Sequence, residues 1–256
     1  MMDTNTSSQV GLHTTSNTTV YRFIFDVDGT LTPSRQPINK NFKKWFENFI
    51  KENYVYLVTG SDYLKTVEQL GTHICENVER VYNCSGSDVW EKGKNIYTAD
   101  WKLPEDAHEW LSEKLSESKF VLRTGLHFEH RPGMCNFSVV GRNATLGERK
   151  LYVKWDIKID ERIKIAKEFN KLFPKLEAKV GGETGIDIAP LGNNKSQIIK
   201  DFNPKQDILH FFGDRTDPKG NDYPLKKVLI DKDLGFCYNI KDYKDTWNIL
   251  KNEFSI

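Results

Sequence analysis

The first ninety residues alternate between short apolar runs and longer amphipathic stretches. The apolar runs have strand length and are rich in β-branched and aromatic residues: "YRFIFDVDG" (21–29), "YVYLVTGSD" (54–62) and "RVYNCSG" (80–86). The stretches between them have helical spacing: "NKNFKKWFENFIKEN" (39–53) and "YLKTVEQLG" (63–71), the second closed by glycine. This order of strand, helix, strand, helix, strand predicts an α/β fold with a parallel sheet and right-handed crossovers, similar to a Rossmann core.

The middle of the chain follows a different pattern. Residues 89–101 have the glycine and the alternation of a hairpin, and residues 126–142 alternate as an antiparallel strand pair does. From residue 193 the first pattern returns, with a helix in "NKSQIIKDF" and an apolar strand in "DILHFFGD". We therefore predict a discontinuous core domain of residues 20–90 and 188–256, interrupted by an α+β cap domain of residues 91–187.

Composition narrows the classes of function. Charged residues make up 29% of the chain and the formal net charge is +1, which predicts no nucleic-acid partner and no polybasic membrane anchor. No apolar run is long enough to cross a bilayer. The polar segment 1–19 lacks the apolar stretch of a signal peptide, so we expect a disordered tail. Four widely spaced cysteines favour free thiols and a cytoplasmic location.

Polar residues follow each of the first three predicted strands. Asp26 and Asp28 come at the end of the first strand, in "DVDGTLT", and Thr59 and Ser85 fall at or just past the ends of the next two. Ligands of a parallel sheet bind beyond the carboxyl ends of its strands, so these side chains are candidates for one site. Gly29 allows the turn that brings both carboxylates into it.

Later segments supply the remaining candidates. Lys195 precedes a helix, where an ammonium can neutralise phosphoryl charge, and Asp214 ends an apolar strand in "FFGDRTDPKGND". The same loop offers Asp217 and Asp222 as further acids, of which we favour Asp222. Together with "DVDGTLT" and "LVTGSD", these elements resemble, in this order, the haloacid dehalogenase (HAD) superfamily of phosphoryl-transfer enzymes.

The chemistry of such a site follows from its charges. A carboxylate nucleophile and an anionic phosphate ester repel each other, so we expect Mg²⁺ between them, bound by Asp26, Asp214, Asp222 and the backbone carbonyl of Asp28. Asp26 would attack phosphorus and become an aspartyl-phosphate, while Asp28 moves protons to and from the sugar oxygen. Lys195 and Thr59 would stabilise the charge on the transferred group.

Within the superfamily the chain resembles the eukaryotic-type phosphomannomutases over about residues 21–240. The resemblance lies in "DVDGTLTPSRQ", "GSDYLKTVEQLG", "HRPGMCNFSVVGRNATLGER", "GGETGIDIAP" and "FFGDRTDPKGNDY". It implies interconversion of mannose 6-phosphate and mannose 1-phosphate for GDP-mannose biosynthesis, with a hexose 1,6-bisphosphate as activator. It also implies a homodimer formed through the cap domain.

The same resemblance implies a set of substrate-binding residues. They are Arg35, Arg131, Asn136, Arg142, Arg149, Gly185 and Asp187. An arginine offers a planar, two-pronged donor for the distal phosphate, which a mutase must hold while the other phosphate reacts. Three positions depart from the family's pattern: Gly185 stands where Ser or Thr is usual, Thr59 where Gly is frequent, and Pro132 where Asn is common.

Other interpretations stay open from the sequence. A Mg²⁺-dependent sugar-phosphate phosphatase of the HAD superfamily would use the same core residues, and Thr59 is typical of such phosphatases. A catalytically inactive sugar-phosphate sensor is a third function. At the level of structure, Asp26 and Asp28 could cap a turn and the arginines could be surface charges. The aromatic residues of the first helical stretch, by contrast, are expected to pack in the core: Phe42, Trp45, Phe46 and Phe49.

Overall fold

The computed structural model describes residues 18–254, so nearly all of the predicted tail lies outside the described residues. The strands are β1 (Val20–Phe25), β2 (Tyr54–Val58), β3 (Arg80–Asn83), β4 (Asp88–Glu91), β5 (Lys94–Thr98), β6 (Phe128–Arg131), β7 (Met134–Phe137), β8 (Leu176–Gly181), β9 (Gly185–Pro190), β10 (Asp207–Gly213) and β11 (Gly235–Asn239). The α-helices are α1 (Lys40–Glu52), α2 (Tyr63–Leu70), α3 (Thr72–Asn77), α4 (Glu105–Glu117), α5 (Leu146–Ile159), α6 (Glu161–Leu172), α7 (Tyr223–Asp231) and α8 (Tyr243–Glu253). Two 3₁₀ helices cover Cys84–Gly86 and Lys195–Asp201.

The larger of two sheets has seven strands in the order β11-β10-β1-β2-β3-β4-β5. The strands from β11 to β3 pair in parallel, which confirms the α/β class. Phe25 at the end of β1 is level with Phe212 on β10 and Leu57 on β2. The carboxyl ends of these three strands therefore meet at one edge of the sheet, where ligands are expected.

Helix α1 packs on this sheet through the aromatic residues that were predicted to lie in the core. Phe42 and Phe46 are fully buried, Phe49 is nearly so, and Trp45 packs against them while partly exposed. The ring of Phe46 meets that of Phe25 at 5.3 Å, edge to face. The predicted core packing is thus confirmed, and each such buried ring contributes roughly 1.5–3 kcal/mol to stability.

The smaller sheet is antiparallel, in the order β6-β7-β9-β8. Helices α4, α5 and α6 supply side chains to a separate apolar core beside it, which includes Leu111, Tyr152 and Phe169 together with Phe137 of β7. A second core of its own is what a separate structural unit requires.

The hairpin that the sequence predicts over residues 89–101 belongs to the large sheet and not, as expected, to the cap domain. Strand β4 pairs with β3 through Val81 opposite Trp90, and β5 pairs with β4, so the hairpin extends the large sheet. A boundary at residue 90 cuts through β4, and β9 runs on to Pro190. Alternation in the sequence does not tell which open sheet edge a hairpin joins. We infer an inserted unit of residues 99–190.

The described residues contain no helix that is both long and apolar enough to cross a membrane. All four cysteines are free thiols, and Cys75, Cys84 and Cys135 are buried. The expectation of free thiols is therefore confirmed.

His210 lies among aromatic rings on β10, the second strand from one edge of the large sheet. It is 5% exposed, and its ring stacks on Phe23 and Phe236, each at 5.2 Å. Nδ1 is 3.1 Å from the hydroxyl of Tyr238, and Nε2 has no hydrogen-bond partner in the described structure. Burial lowers the pKa of His210 from 6.5 to about 4, because the apolar rings disfavour the charged imidazolium.

This lowered pKa predicts a loss of stability in mild acid. Below pH 6.5 the unfolded chain binds a proton that the folded chain does not bind until about pH 4, so folding weakens as the pH falls across this window. Between pH 7 and pH 4 wild type should lose roughly 3 kcal/mol of unfolding free energy through His210, and we expect His210→Phe to abolish this loss. Urea unfolding at a series of pH values measures it. If plots of unfolding free energy against pH stay parallel for wild type and variant from pH 7 to pH 4, the lowered pKa of His210 is contradicted.

Candidate active site

Asp26 directly follows β1 at the edge where the strands end. Its backbone N–H still donates to Phe212 O at 2.9 Å, and the chain then turns so that the Gly29 N–H donates to Thr32 O at 2.8 Å. Gly29 has φ +78°, and a Cβ on it would collide with the carboxylate of Asp214. Glycine is therefore required here both by the backbone and by the close approach of the acid.

Lys195 begins a 3₁₀ helix, and its side chain is completely buried. Its Nζ donates to Asp26 Oδ1 and, at 2.6 Å, to Asp222 Oδ1. The second oxygen of Asp222 accepts the N–H of Arg215 at 3.0 Å. Burial alone would lower the pKa of the ammonium, but the two carboxylates outweigh it and raise that pKa.

Asp214 completes a group of three acids. One carboxylate oxygen each of Asp26, Asp214 and Asp222 lies within 4.8 Å of the other two. Burial raises the pKa of Asp26 to about 7, although Lys195 opposes the rise, and burial with the charge of Asp222 raises the pKa of Asp214 to about 6. Three acids facing one ammonium leave negative charge in excess. These hard oxygen donors fit a divalent cation such as Mg²⁺.

The other acids considered lie outside this group. Asp217 is exposed and accepts the N–H of Lys219 at 2.9 Å. Asp28 is held by other partners: its Oδ1 accepts the Arg35 N–H at 2.6 Å and Gln69 Nε2 at 3.0 Å. The carboxylate of Asp28 is thus not one of the three, and a ligand role for its backbone carbonyl stays a prediction.

Thr59 follows β2 and is buried at the same sheet edge. Its hydroxyl oxygen accepts the N–H of Ser61 at 3.1 Å, so its hydroxyl hydrogen remains for another acceptor. The Thr59 carbonyl accepts the N–H of Ser85 at 2.8 Å, which ties the ends of β2 and β3 together.

Two of the predicted arginines share one acid on the smaller sheet. Glu129 of β6 accepts from Arg131 Nη2 at 3.0 Å and forms an ion pair with Arg142. Arg149 lies outside this cluster and donates through Nε to Ala144 O at 3.3 Å. The guanidinium of Arg35 makes no hydrogen bond or ion pair within residues 18–254, and only its backbone reaches the site.

Asn136 and Asp187 face each other across β7 and β9. Asn136 Nδ2 donates to Asp187 Oδ1 at 2.6 Å, and Asn136 is 5% exposed. A Cβ at Gly185 would collide with the Asn136 amide. A side chain at position 185 would therefore displace the Asn136 amide from its hydrogen bond to Asp187.

The inserted unit meets the core beside this site. Asn193 Nδ2 donates to Gly133 O in the β6–β7 turn at 2.6 Å, and Asn193 Oδ1 accepts from Ser87 Oγ at 3.0 Å. Arg131 is the last residue of β6 and precedes this turn, so it lies where the strand ends against the core, whereas Arg142 follows β7 in an irregular segment.

Sequence reasoning missed two residues of this arrangement, Gln69 and Glu129. Gln69 contacts Asp28 from 41 positions away, and Glu129 alternates with Arg131 as a surface charge does. The signal for Gln69 was its place beside Leu70 on the buried side of a short helix, where an amide needs partners.

Comparisons with known proteins agree on one family. Residues 42–256 match the family model for eukaryotic phosphomannomutase, beginning after the Asp26 loop. The chain is 30% identical to the phosphomannomutase of Saccharomyces cerevisiae over 243 residues. This aligned region covers 91% of this chain and 94% of the yeast protein. It is 32% identical over 211 residues to the phosphomannomutase of Galdieria sulphuraria, and this aligned region covers 79% of this chain and 83% of that protein.

Solved structures reproduce the fold. A haloacid dehalogenase-like hydrolase from Bacteroides thetaiotaomicron superposes with a TM-score of 0.58 at 12% identity, covering 92% of this chain and 100% of that one. At this identity the similarity concerns the fold alone.

The buried Lys195 predicts a large effect of its removal on stability. Without divalent cations, Lys195→Met leaves two buried carboxylates without their counter-charge, and we expect unfolding free energy to fall by about 3–5 kcal/mol. The exposed Lys205 is the matched control, since Lys205→Met should change it by less than about 0.5 kcal/mol. Chemical denaturation measures both, and equal stability of the two variants would contradict the proposed charge balance.

Proposed function

The chain belongs to the eukaryotic phosphomannomutase family, and we propose that it is a phosphohexomutase that interconverts mannose 6-phosphate and mannose 1-phosphate. The observation that carries the proposal is the buried group of Asp26, Lys195, Asp214 and Asp222 at the carboxyl ends of β1 and β10. It joins a nucleophile, its counter-charge and a set of cation ligands in one small volume.

Asp26 carries the transferred phosphoryl group in this proposal. Its carboxylate attacks phosphorus, the bond from phosphorus to the sugar oxygen breaks, and that oxygen takes a proton from Asp28. Asp26, Asp214 and Asp222 hold Mg²⁺, which when bound offsets the repulsion between carboxylate and phosphate. Lys195 and the Thr59 hydroxyl stabilise charge on the phosphoryl group. In the return step the other sugar hydroxyl attacks phosphorus, the bond from phosphorus to the Asp26 carboxylate breaks, and Asp28 accepts the proton of that hydroxyl.

The arginines of the inserted unit hold the second phosphate. Arg131 and Arg142 converge on one carboxylate, and the same donors can grip a phosphate group in either orientation of the sugar. Arg35 and Arg149 supply further positive charge, and Asn136 with Asp187 binds sugar hydroxyls beside Gly185. A hexose 1,6-bisphosphate primes the enzyme by transferring one phosphoryl group to Asp26, and the hexose monophosphate that remains is released.

Location and assembly complete the proposal. Free cysteines support a reducing, cytoplasmic location, in which mannose 1-phosphate serves GDP-mannose synthesis. Exposed apolar side chains on the inserted unit support a homodimer formed there: Val121, Leu126, Leu146, Leu151 and Ile157.

Phosphorus NMR separates the mutase from a phosphatase. With mannose 1-phosphate, Mg²⁺ and a trace of hexose 1,6-bisphosphate, we expect the mannose 6-phosphate signal to grow without inorganic phosphate. Asp26→Asn should lower the rate at least about 10³-fold, because the nucleophile is lost. Release of inorganic phosphate at a rate that does not depend on the added bisphosphate would identify a phosphatase. Neither isomerisation nor hydrolysis would favour a binding protein.

Mg²⁺ should stabilise the folded chain through its ligands. At a concentration 100 times its dissociation constant, we expect about 2.7 kcal/mol of added stability. Asp214→Asn should abolish this gain, whereas Asp217→Asn, a change at the exposed acid of the same loop, should keep it. Thermal melts with and without Mg²⁺ measure the effect. Equal gains in both variants would exclude Asp214 as a ligand.

A further inference from the structure

Gln69 reaches the loop of the two aspartates from helix α2. Its side chain is 2% exposed, and its Nε2 donates to Asp28 Oδ1 at 3.0 Å and to Thr32 Oγ1 at 3.1 Å. Its backbone carbonyl accepts the N–H of Ile38 at 2.8 Å. Gln69 therefore holds this loop at its start through the side chain and at its end through the main chain.

The two hydrogen bonds that Asp28 receives end on the same oxygen. Within residues 18–254, Oδ1 accepts both the Arg35 N–H and Gln69 Nε2, and Oδ2 accepts none. Two N–H donors fix the plane of a carboxylate and satisfy one of its oxygens. The other oxygen is left to act on a substrate.

The amide of Gln69 is unusual for its position. Its Oε1 is buried and has no hydrogen-bond partner among the described residues, which is unfavourable for folding. An apolar side chain of the same length would fill the space without that cost. An amide at this position is useful because its two N–H groups donate to Asp28 and Thr32.

We propose that Gln69 is a positioning residue for proton transfer by Asp28, an inference that rests on the proposed function. It keeps Oδ1 occupied, so that Oδ2 carries the proton to the departing sugar oxygen as the bond from that oxygen to phosphorus breaks. In the return step the same Oδ2 takes the proton of the attacking hydroxyl. Gln69 itself touches neither the substrate nor the phosphoryl group.

The test compares leaving groups. Gln69→Met keeps the length of the side chain and removes its donors. The phenolate of p-nitrophenyl phosphate departs without a proton, whereas a sugar oxygen needs one. In single-turnover phosphorylation of Asp26 with Mg²⁺, we expect the variant to match wild type within about twofold on p-nitrophenyl phosphate. Transfer from a hexose 1,6-bisphosphate should be slower by about 10–100-fold at unchanged KM.

Thr66→Val is the matched control. Thr66 is a fully buried polar residue of the same helix, and it donates to Asp62 O and Asn83 Oδ1, away from Asp28. We expect it to lower the melting temperature while leaving both rates as in wild type. This control separates a weakened helix from a lost proton path.

Two outcomes would overturn the proposal. Equal slowing on both substrates would make Gln69 a structural support of the loop, and no slowing on either would make it dispensable. The proposed function fails separately, when wild type isomerises no hexose phosphate. In that case methyl phosphate replaces the bisphosphate, and its comparison with p-nitrophenyl phosphate still decides whether Gln69 assists a leaving group that needs a proton.

Discussion

The buried ammonium of Lys195 is the interaction on which the rest of the site depends. It bonds Asp26, 169 positions earlier in the chain, and Asp222, 27 positions later. Both acids are almost completely removed from solvent, where carboxylates are tolerated only with a counter-charge. Because the chain has just returned from the inserted unit when it reaches Lys195, this ion group also closes the discontinuous core.

A second charged group includes Glu129 of the smaller sheet. Glu129 pairs with both Arg131 and Arg142, so its single negative charge offsets one of their two positive charges. In the proposed reaction, a phosphate bound there would compete with Glu129 for the guanidinium donors, because each donor is directional. In both halves of the molecule, acids and bases of the chain are thus paired where the proposed reaction brings in further charge.

The sequence was informative where geometry follows from topology. Asp26 and Thr59 were placed together because parallel strands end at one sheet edge, and the aromatic stripe of α1 marked the core. The hairpin of β4 and β5 was misplaced, since alternation does not identify the neighbouring strand. Helix α5 was missed because its apolar residues form no clear stripe, and only the Thr145–Glu148 capping box marks its start. The burial of Gln69 could be read from its helix, but its partner Asp28, 41 positions away, could not.

The contact between Gly185 and Asn136 has a consequence for the orientation of Asp187. The two residues lie on neighbouring strands, and the amide fills the volume that any side chain at 185 would occupy. A serine or threonine fits at 185 once the far end of the Asn136 side chain has rotated away. That rotation breaks the hydrogen bond from Asn136 to Asp187, so the missing side chain at 185 keeps the amide and the acid locked together as a pair.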